Sequence, residues 1–285
     1  MIGYLYLGRV GYDDALRLQE EVAGLRYQGR IENILLLLEH PPVLTLGRNA
    51  RRANVLASDE LLAARGVTLH EINRGGDVTY HGPGQLVGYP IFDLRSLRHA
   101  GGGRLGPVDF VRQIEEVLIR VCAAFGVRAG RIPGLTGVWC GVDAAPSSSP
   151  GTMPAEGRGR KICAIGIHVS RGITSHGFAF NVTTDLRDFG LINPCGITDR
   201  PVTSLERETA EPAHLPSLEA AAQQAARQFG AVFGEQIRAL ESLDELRAQA
   251  QAASPAADFP AEDTPLRIPP EVERLRHREG RTEQA

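Results

Sequence analysis

Five consecutive aliphatic residues, Ile34 to Leu38 in the run "NILLLLE", end at His40-Pro41-Pro42. A strand with one wet face alternates apolar and polar residues, whereas an unbroken run of strand length fits a strand buried on both faces. The following "VLTLG", 43–47, reads as the neighbouring strand. Residues 13–28 carry Ala15, Leu18, Val22 and Leu25 at helical spacing, with acids in the first turn and Gly29 as a stop. The helical pattern returns over 108–125 and again from Ser217 through Leu240. Between these helices, 67–93 and 161–182 read as strands interrupted by glycines. Helices and several strands in succession predict an α+β fold, a mixed or antiparallel sheet with packed helices, rather than a strict β-α-β repeat.

The 285 residues, 42% of them hydrophobic, suffice for one main domain, expected over 1–240. "DAAPSSSPGTMPAEGRGR", 143–160, has the Pro, Ser and Gly content of a flexible insertion, and 241–285 reads as a Pro, Ala and charge-rich extension expected to be disordered. The net charge of -3 does not point to nucleic acid or to a membrane surface, and no segment approaches the roughly 20 apolar residues that span a bilayer. A cytoplasmic address is expected. Cys122, Cys140, Cys163 and Cys195 lack C-x-x-C spacing, and no His/Cys cluster points to a metal.

Composition matters most at one position. Thirty-one residues are Lys or Arg, and Lys161 is the only lysine. In a chain that uses arginine wherever charge suffices, a lysine suggests a place where a proton must leave, because arginine is effectively always charged. Two thiols could partner it. Cys163 lies two residues along an apolar strand and shares its face if that strand is regular. Cys195 in "INPCGI" sits between Pro194 and Gly196, a turn that can present a thiol to a cleft and leave backbone N–H groups for an oxyanion. Lysine can hold a thiolate as an ammonium, or take and return the thiol proton as an amine.

The glycine-rich "RGGDVTYHGPGQ", 74–85, with five glycines or prolines in twelve residues, reads as a binding loop rather than a regular strand, offering Arg74, Tyr80 and His81 where backbone can approach a ligand closely. It matches neither nucleotide-binding glycine motif. His176 reads equally as a structural histidine. The basic "GRNARR" segment, with Arg48, Arg51 and Arg52, could dock an acidic partner or be a solvated loop.

The segments "RGGDVTYHGPGQLVGYPIFDL", "GRKICAIGIHVSRGITSHGFAFNV" and "LINPCGITD", in that order within about residues 3–235, resemble the lipoyl(octanoyl) transferase family. The resemblance implies a catalytic domain folded like the biotin and lipoate protein ligases. It implies an acyltransferase that moves an octanoyl group from octanoyl-acyl carrier protein to a lysine of lipoyl domains, those of 2-oxoacid dehydrogenases and of the glycine cleavage H protein. No metal, cofactor, nucleic acid or membrane is implied. Cys195 matches the acyl-thioester nucleophile and Lys161 the lysine that activates it. Arg74, Gly75, Gly76, Asp77, Val78, Thr79, Tyr80 and His81 match the first acyl-binding segment. Ala164, Ile165 and Gly166, then Gly177, Phe178 and Ala179, match the other two. The alternatives are an ATP-dependent lipoate or biotin ligase, and a non-catalytic module that binds acyl chains or lipoyl domains.

Overall fold

The computed structural model describes residues 1–98, 102–142, 159–193, 200–210 and 215–253. In chain order the elements begin with β1 (Ile2–Arg9), α1 (Tyr12–Tyr27), β2 (Asn33–Glu39), β3 (Val43–Leu46), α2 (Asp59–Ala64), β4 (Thr68–Glu71), β5 (Val78–His81) and β6 (Gln85–Ile91). They continue with α3 (Pro107–Ala124), β7 (Ala129–Ile132), β8 (Leu135–Cys140), β9 (Arg160–Ser170), β10 (Ile173–Asn181), α4 (Leu205–Glu208), α5 (Leu218–Phe233), β11 (Ile237–Ala239) and α6 (Leu243–Ala252).

The aliphatic run does what its lack of alternation requires. β2 lies inside an eight-stranded mixed sheet ordered β11-β1-β2-β6-β10-β9-β8-β7. Leu35 and Leu37 enter the core beneath α3 and α5, while Leu36 and Leu38 enter the core beneath α1 and α6. Each buried leucine stabilises the sheet by about 1.5–3 kcal/mol relative to exposure. The strand is parallel to β1 and antiparallel to β6.

β3 is not its neighbour. Both flanks of β2 are already paired, and the chain turns through His40-Pro41-Pro42 into a separate three-stranded sheet ordered β4-β3-β5. That sheet has its own core, including Leu44, Leu46, Val78, Tyr80 and Phe189. A hydrophobic run reports burial but not which sheet buries it.

The helix expected from Ser217 to Leu240 stops early. Gly234 adopts φ +67°, a left-handed cap that glycine takes without steric cost, and residues 237–239 then pair with β1. Beyond the boundary expected at 240, α6 seats Leu246 and Ala250 in the α1-side core. Residues 254–285 of the expected extension, and 143–158 of the expected insertion, lie outside the described residues. Arg160, placed in that insertion by the sequence, already belongs to β9. No helix among the described residues is long and apolar enough to cross a membrane.

Candidate active site

A cavity of about 620 Å³ opens between the two sheets and the N-terminal turns of α3. One wall is the β9–β10 ladder, where Ala164 faces Ala179, Ile165 faces Phe178 and Gly166 faces Gly177. All six line the cavity. Small residues are needed here for close approach. A Cβ on Gly166 would lie 2.7 Å from the Gly75 carbonyl oxygen, and one on Gly177 would collide with the Gly88 carbonyl. The glycine loop can therefore lie against β9, to which the Gly75 N–H donates at the Ile167 carbonyl (3.0 Å).

The first expected segment divides by strand period. Arg74 to Asp77 form the loop, and β5 follows as a regular strand despite the flanking glycines. Thr79 and His81 face the cavity with Arg74, Gly75, Gly76 and Asp77. Val78 and Tyr80 point the other way, into the small-sheet core, where the Tyr80 hydroxyl donates to Asp188 (2.9 Å). Arg74 is largely a clamp on β3, donating to the Thr45 carbonyl (2.7 Å) and hydroxyl (2.9 Å). Asp77 fastens the loop to its neighbours, accepting from the Val78 and Arg51 N–H groups and from the Asn54 side-chain amide. Asn54 also accepts at its carbonyl from the Asn193 N–H (2.7 Å).

Lys161 lines the same cavity and is only 9% exposed. Its Nζ stands 4.7 Å from the centre of the Trp139 ring. Its backbone N–H donates to the Pro201 carbonyl and its carbonyl accepts from the Thr203 N–H, each at 2.9 Å.

The expectation that Cys163 shares the face of Lys161 fails on a β-bulge. Val138 pairs with Cys163 but Trp139 pairs with Lys161, so two steps along β9 oppose one along β8 at Ile162. Ile162 and Cys163 both enter the α3-side core, and Lys161 comes into phase with Ala164 on the cavity wall. Cys163 is fully buried, and burial followed by the neighbouring Cys122 pushes its thiol well above the ordinary range. Cys122 and Cys140 are buried as well. Cys195 lies outside the described residues.

Sequence reading missed Tyr12, His40 and Tyr89, which meet His81 at one end of the cavity. The His81 and Tyr12 rings are 6.3 Å apart and stacked; His40 lies edge-on to His81 at 5.9 Å. His40 Nδ1 bonds the Val10 carbonyl, so its Nε2 accepts from the Tyr89 hydroxyl, both at 2.7 Å. Tyr12 and Tyr89 come from elements far apart in the chain, and no local pattern links them. His176 has φ +54°, an uncommon conformation for a non-glycine residue, and its Nε2 bonds the Asn73 side chain (2.7 Å). Among the described residues no group of three His, Cys, Asp or Glu side chains could hold a metal ion.

Burial, acting before any neighbouring charge, pushes the pKa of His40 to about 4, of His81 to about 3 and of His176 to about 4. The unfolded chain takes these protons near the ordinary value of about 6.5. The resulting stability is therefore complete above about pH 6.5 and lost as pH falls toward the folded values. At about pH 5 the loss is about 2 kcal/mol per imidazole, and three together rival a net stability of roughly 5–15 kcal/mol. Thermal denaturation should show a midpoint falling steeply between about pH 6.5 and about pH 4.5. A flat midpoint across that range would contradict the assignment.

Residues 11–230 match the family of lipoyl protein ligase A/B catalytic domains. The chain is 60% identical to an octanoyltransferase of Acidobacterium capsulatum over 247 residues, 86% of this chain and 96% of that protein. It is 49% identical to an octanoyltransferase of Koribacter versatilis over 275 residues, 96% of this chain and 97% of that protein. In fold it is similar to a bipartite lipoate protein ligase of Thermoplasma acidophilum, with a TM-score of 0.61 and 17% identity over 88% of this chain and 91% of that one. On a matched family domain and on relatives at this identity over nearly their whole length, the chain belongs to the octanoyltransferases, acyltransferases on the lipoyl protein ligase A/B catalytic fold.

Proposed function

We propose that this octanoyltransferase carries the acyl group through a thioester on Cys195, with Lys161 moving the protons, from octanoyl-acyl carrier protein to a lysine of a lipoyl domain. The observation that carries this reading is Lys161 itself: the only lysine of the chain, buried in the cavity wall and in phase with Ala164. Its backbone also holds Pro201 and Thr203, a few residues after Cys195, and Asn193 before it is tied to Asn54 and so to Asp77.

In the first step the Cys195 thiolate attacks the thioester carbonyl. The new C–S bond forms, the carrier C–S bond breaks, and the carrier thiol leaves with a proton from Lys161. In the second, the neutral amine of the acceptor lysine attacks the acyl-enzyme. The amide C–N bond forms, the Cys195 sulfur leaves, and the amine proton passes to Lys161. A thioester is already activated, so no ATP enters. The mostly apolar β9–β10 wall suits an alkyl chain, and 620 Å³ lies in the range of small-molecule sites. The acyl-binding roles of residues 74–81, 164–166 and 177–179 belong to the same reading, with Val78 and Tyr80 acting from behind the wall. Three buried free thiols suit a reducing compartment such as the cytoplasm.

Intact-protein mass spectrometry after incubation with octanoyl-acyl carrier protein, without ATP, tests the reading. One octanoyl group should be gained covalently, then lost on addition of a lipoyl domain that gains it. A gain that requires ATP and free acid would identify a ligase. An acyl chain removable by denaturation alone would identify a binding module.

A further inference from the structure

His81 is held by a chain of side-chain amides whose orientation can be read from backbone carbonyls. The Asn181 Nδ2 donates to the Thr203 carbonyl (2.9 Å), which leaves its Oδ1 facing Gln85. Gln85 lies opposite Asn181 in the β6–β10 ladder, and its Nε2 donates to that Oδ1 (2.9 Å) and to the Tyr80 carbonyl (3.2 Å). Only the Gln85 Oε1 is then left to meet His81 Nδ1, at 2.7 Å. An amide oxygen can only accept, so Nδ1 must carry the proton. All three side chains are buried, at 1% exposure for Gln85, 4% for Asn181 and 7% for His81. His81 Nε2 has no hydrogen-bond partner among the described residues, and the ring lines the cavity.

We propose that Gln85 and Asn181 are positioning residues that lock His81 in its Nδ1-protonated tautomer, so that Nε2 faces the cavity as a hydrogen-bond acceptor for the N–H of the acceptor lysine amine. The proposal rests on the functional reading above. A thioester and an alkyl chain present acceptors and C–H bonds; the amine is the reacting group with N–H donors to offer. Thr203, which ends the amide chain, also donates its N–H to the Lys161 carbonyl, so the same relay spans the strand that carries Lys161. Burial keeps His81 neutral down to about pH 3. The titratable or charged groups around it are His40, Tyr12, Arg74 and His176, with Asp77, Tyr89, Arg112 and Lys161 on the same cavity.

Nitrogen NMR of the wild-type imidazole, assigned with His81→Gln, reads the tautomer without reference to activity. Nδ1 should be protonated and Nε2 bare from about pH 8 to about pH 5; a proton on Nε2 would overturn the proposal. Gln85→Glu keeps the acceptor but adds a charge that favours the imidazolium. Its transfer rate to the lipoyl domain, divided by that of wild type, should fall about tenfold between about pH 8 and about pH 5, as a carboxylate facing the ring raises its buried pKa of about 3 by up to about three and protonation removes the acceptor. His40 and His176 titrate below that window. The fall should lie in the second half-reaction. A ratio flat in pH, or a loss confined to formation of the acyl-enzyme, would overturn the assignment to the amine. Failure of the wild-type protein to take up octanoyl would instead sink the functional reading, and leave the tautomer result standing.

Discussion

Cys195→Ala protein incubated with octanoyl-acyl carrier protein should gain no octanoyl group, while Cys163→Ala protein should gain one as wild type does. The contrast follows from burial. A thiolate, not a thiol, attacks an acyl group, and burial pushes the thiols of Cys163 and Cys140 upward, away from ionisation. Cys122, Cys140 and Cys163 are each 0% exposed, in the core under α3 rather than on the cavity. None can substitute for a nucleophile that must reach a thioester. Loss of transfer should be complete within detection, because no second covalent route exists among these residues. Acylation of Cys195→Ala together with failure of Cys163→Ala would reverse the choice of nucleophile.

Lys161→Arg protein should keep its fold and lose turnover by about 10²–10⁴-fold, the usual contribution of a positioned general acid or base. Arginine keeps the charge, and its guanidinium can stack on the Trp139 ring that now lies beneath Nζ. The bonds from Lys161 to Pro201 and Thr203 are made by backbone atoms and survive the substitution. What arginine cannot do is give up a proton near neutral pH. Steady-state kinetics beside a thermal melt separate the two effects. An unchanged melt with turnover within about threefold of wild type would show that position 161 supplies charge alone, and the proton-transfer role would fall.

Much of this molecule can be read along the chain because two local periods carry so much of it. The unalternating Ile34–Leu38 run becomes a strand buried on both faces, and α1 and α3 begin and end within a residue or so of their sequence patterns. Alternation along β5 sorts Thr79 and His81 from Val78 and Tyr80, although no local pattern marks which set faces the cavity. Where glycine content suggested only a loop, pairing with β3 made a strand. In α5 a single left-handed glycine outweighed the helical spacing beyond it.

From the sequence alone come the reagents: one lysine in an arginine chain, a cysteine between proline and glycine, and small residues where two backbones must touch. The tertiary structure decided the phase and the company of the lysine and of the small residues. Whether Lys161 shares a face with Cys163 depends on one extra residue in β9, visible only when β9 is set against β8. Whether His81 accepts or donates depends on Gln85, Asn181 and the Thr203 carbonyl, which come from separate segments of the chain. Side-chain period is a property of neighbours in sequence, whereas strand register and hydrogen-bond direction are settled by partners that only folding brings within about 3 Å.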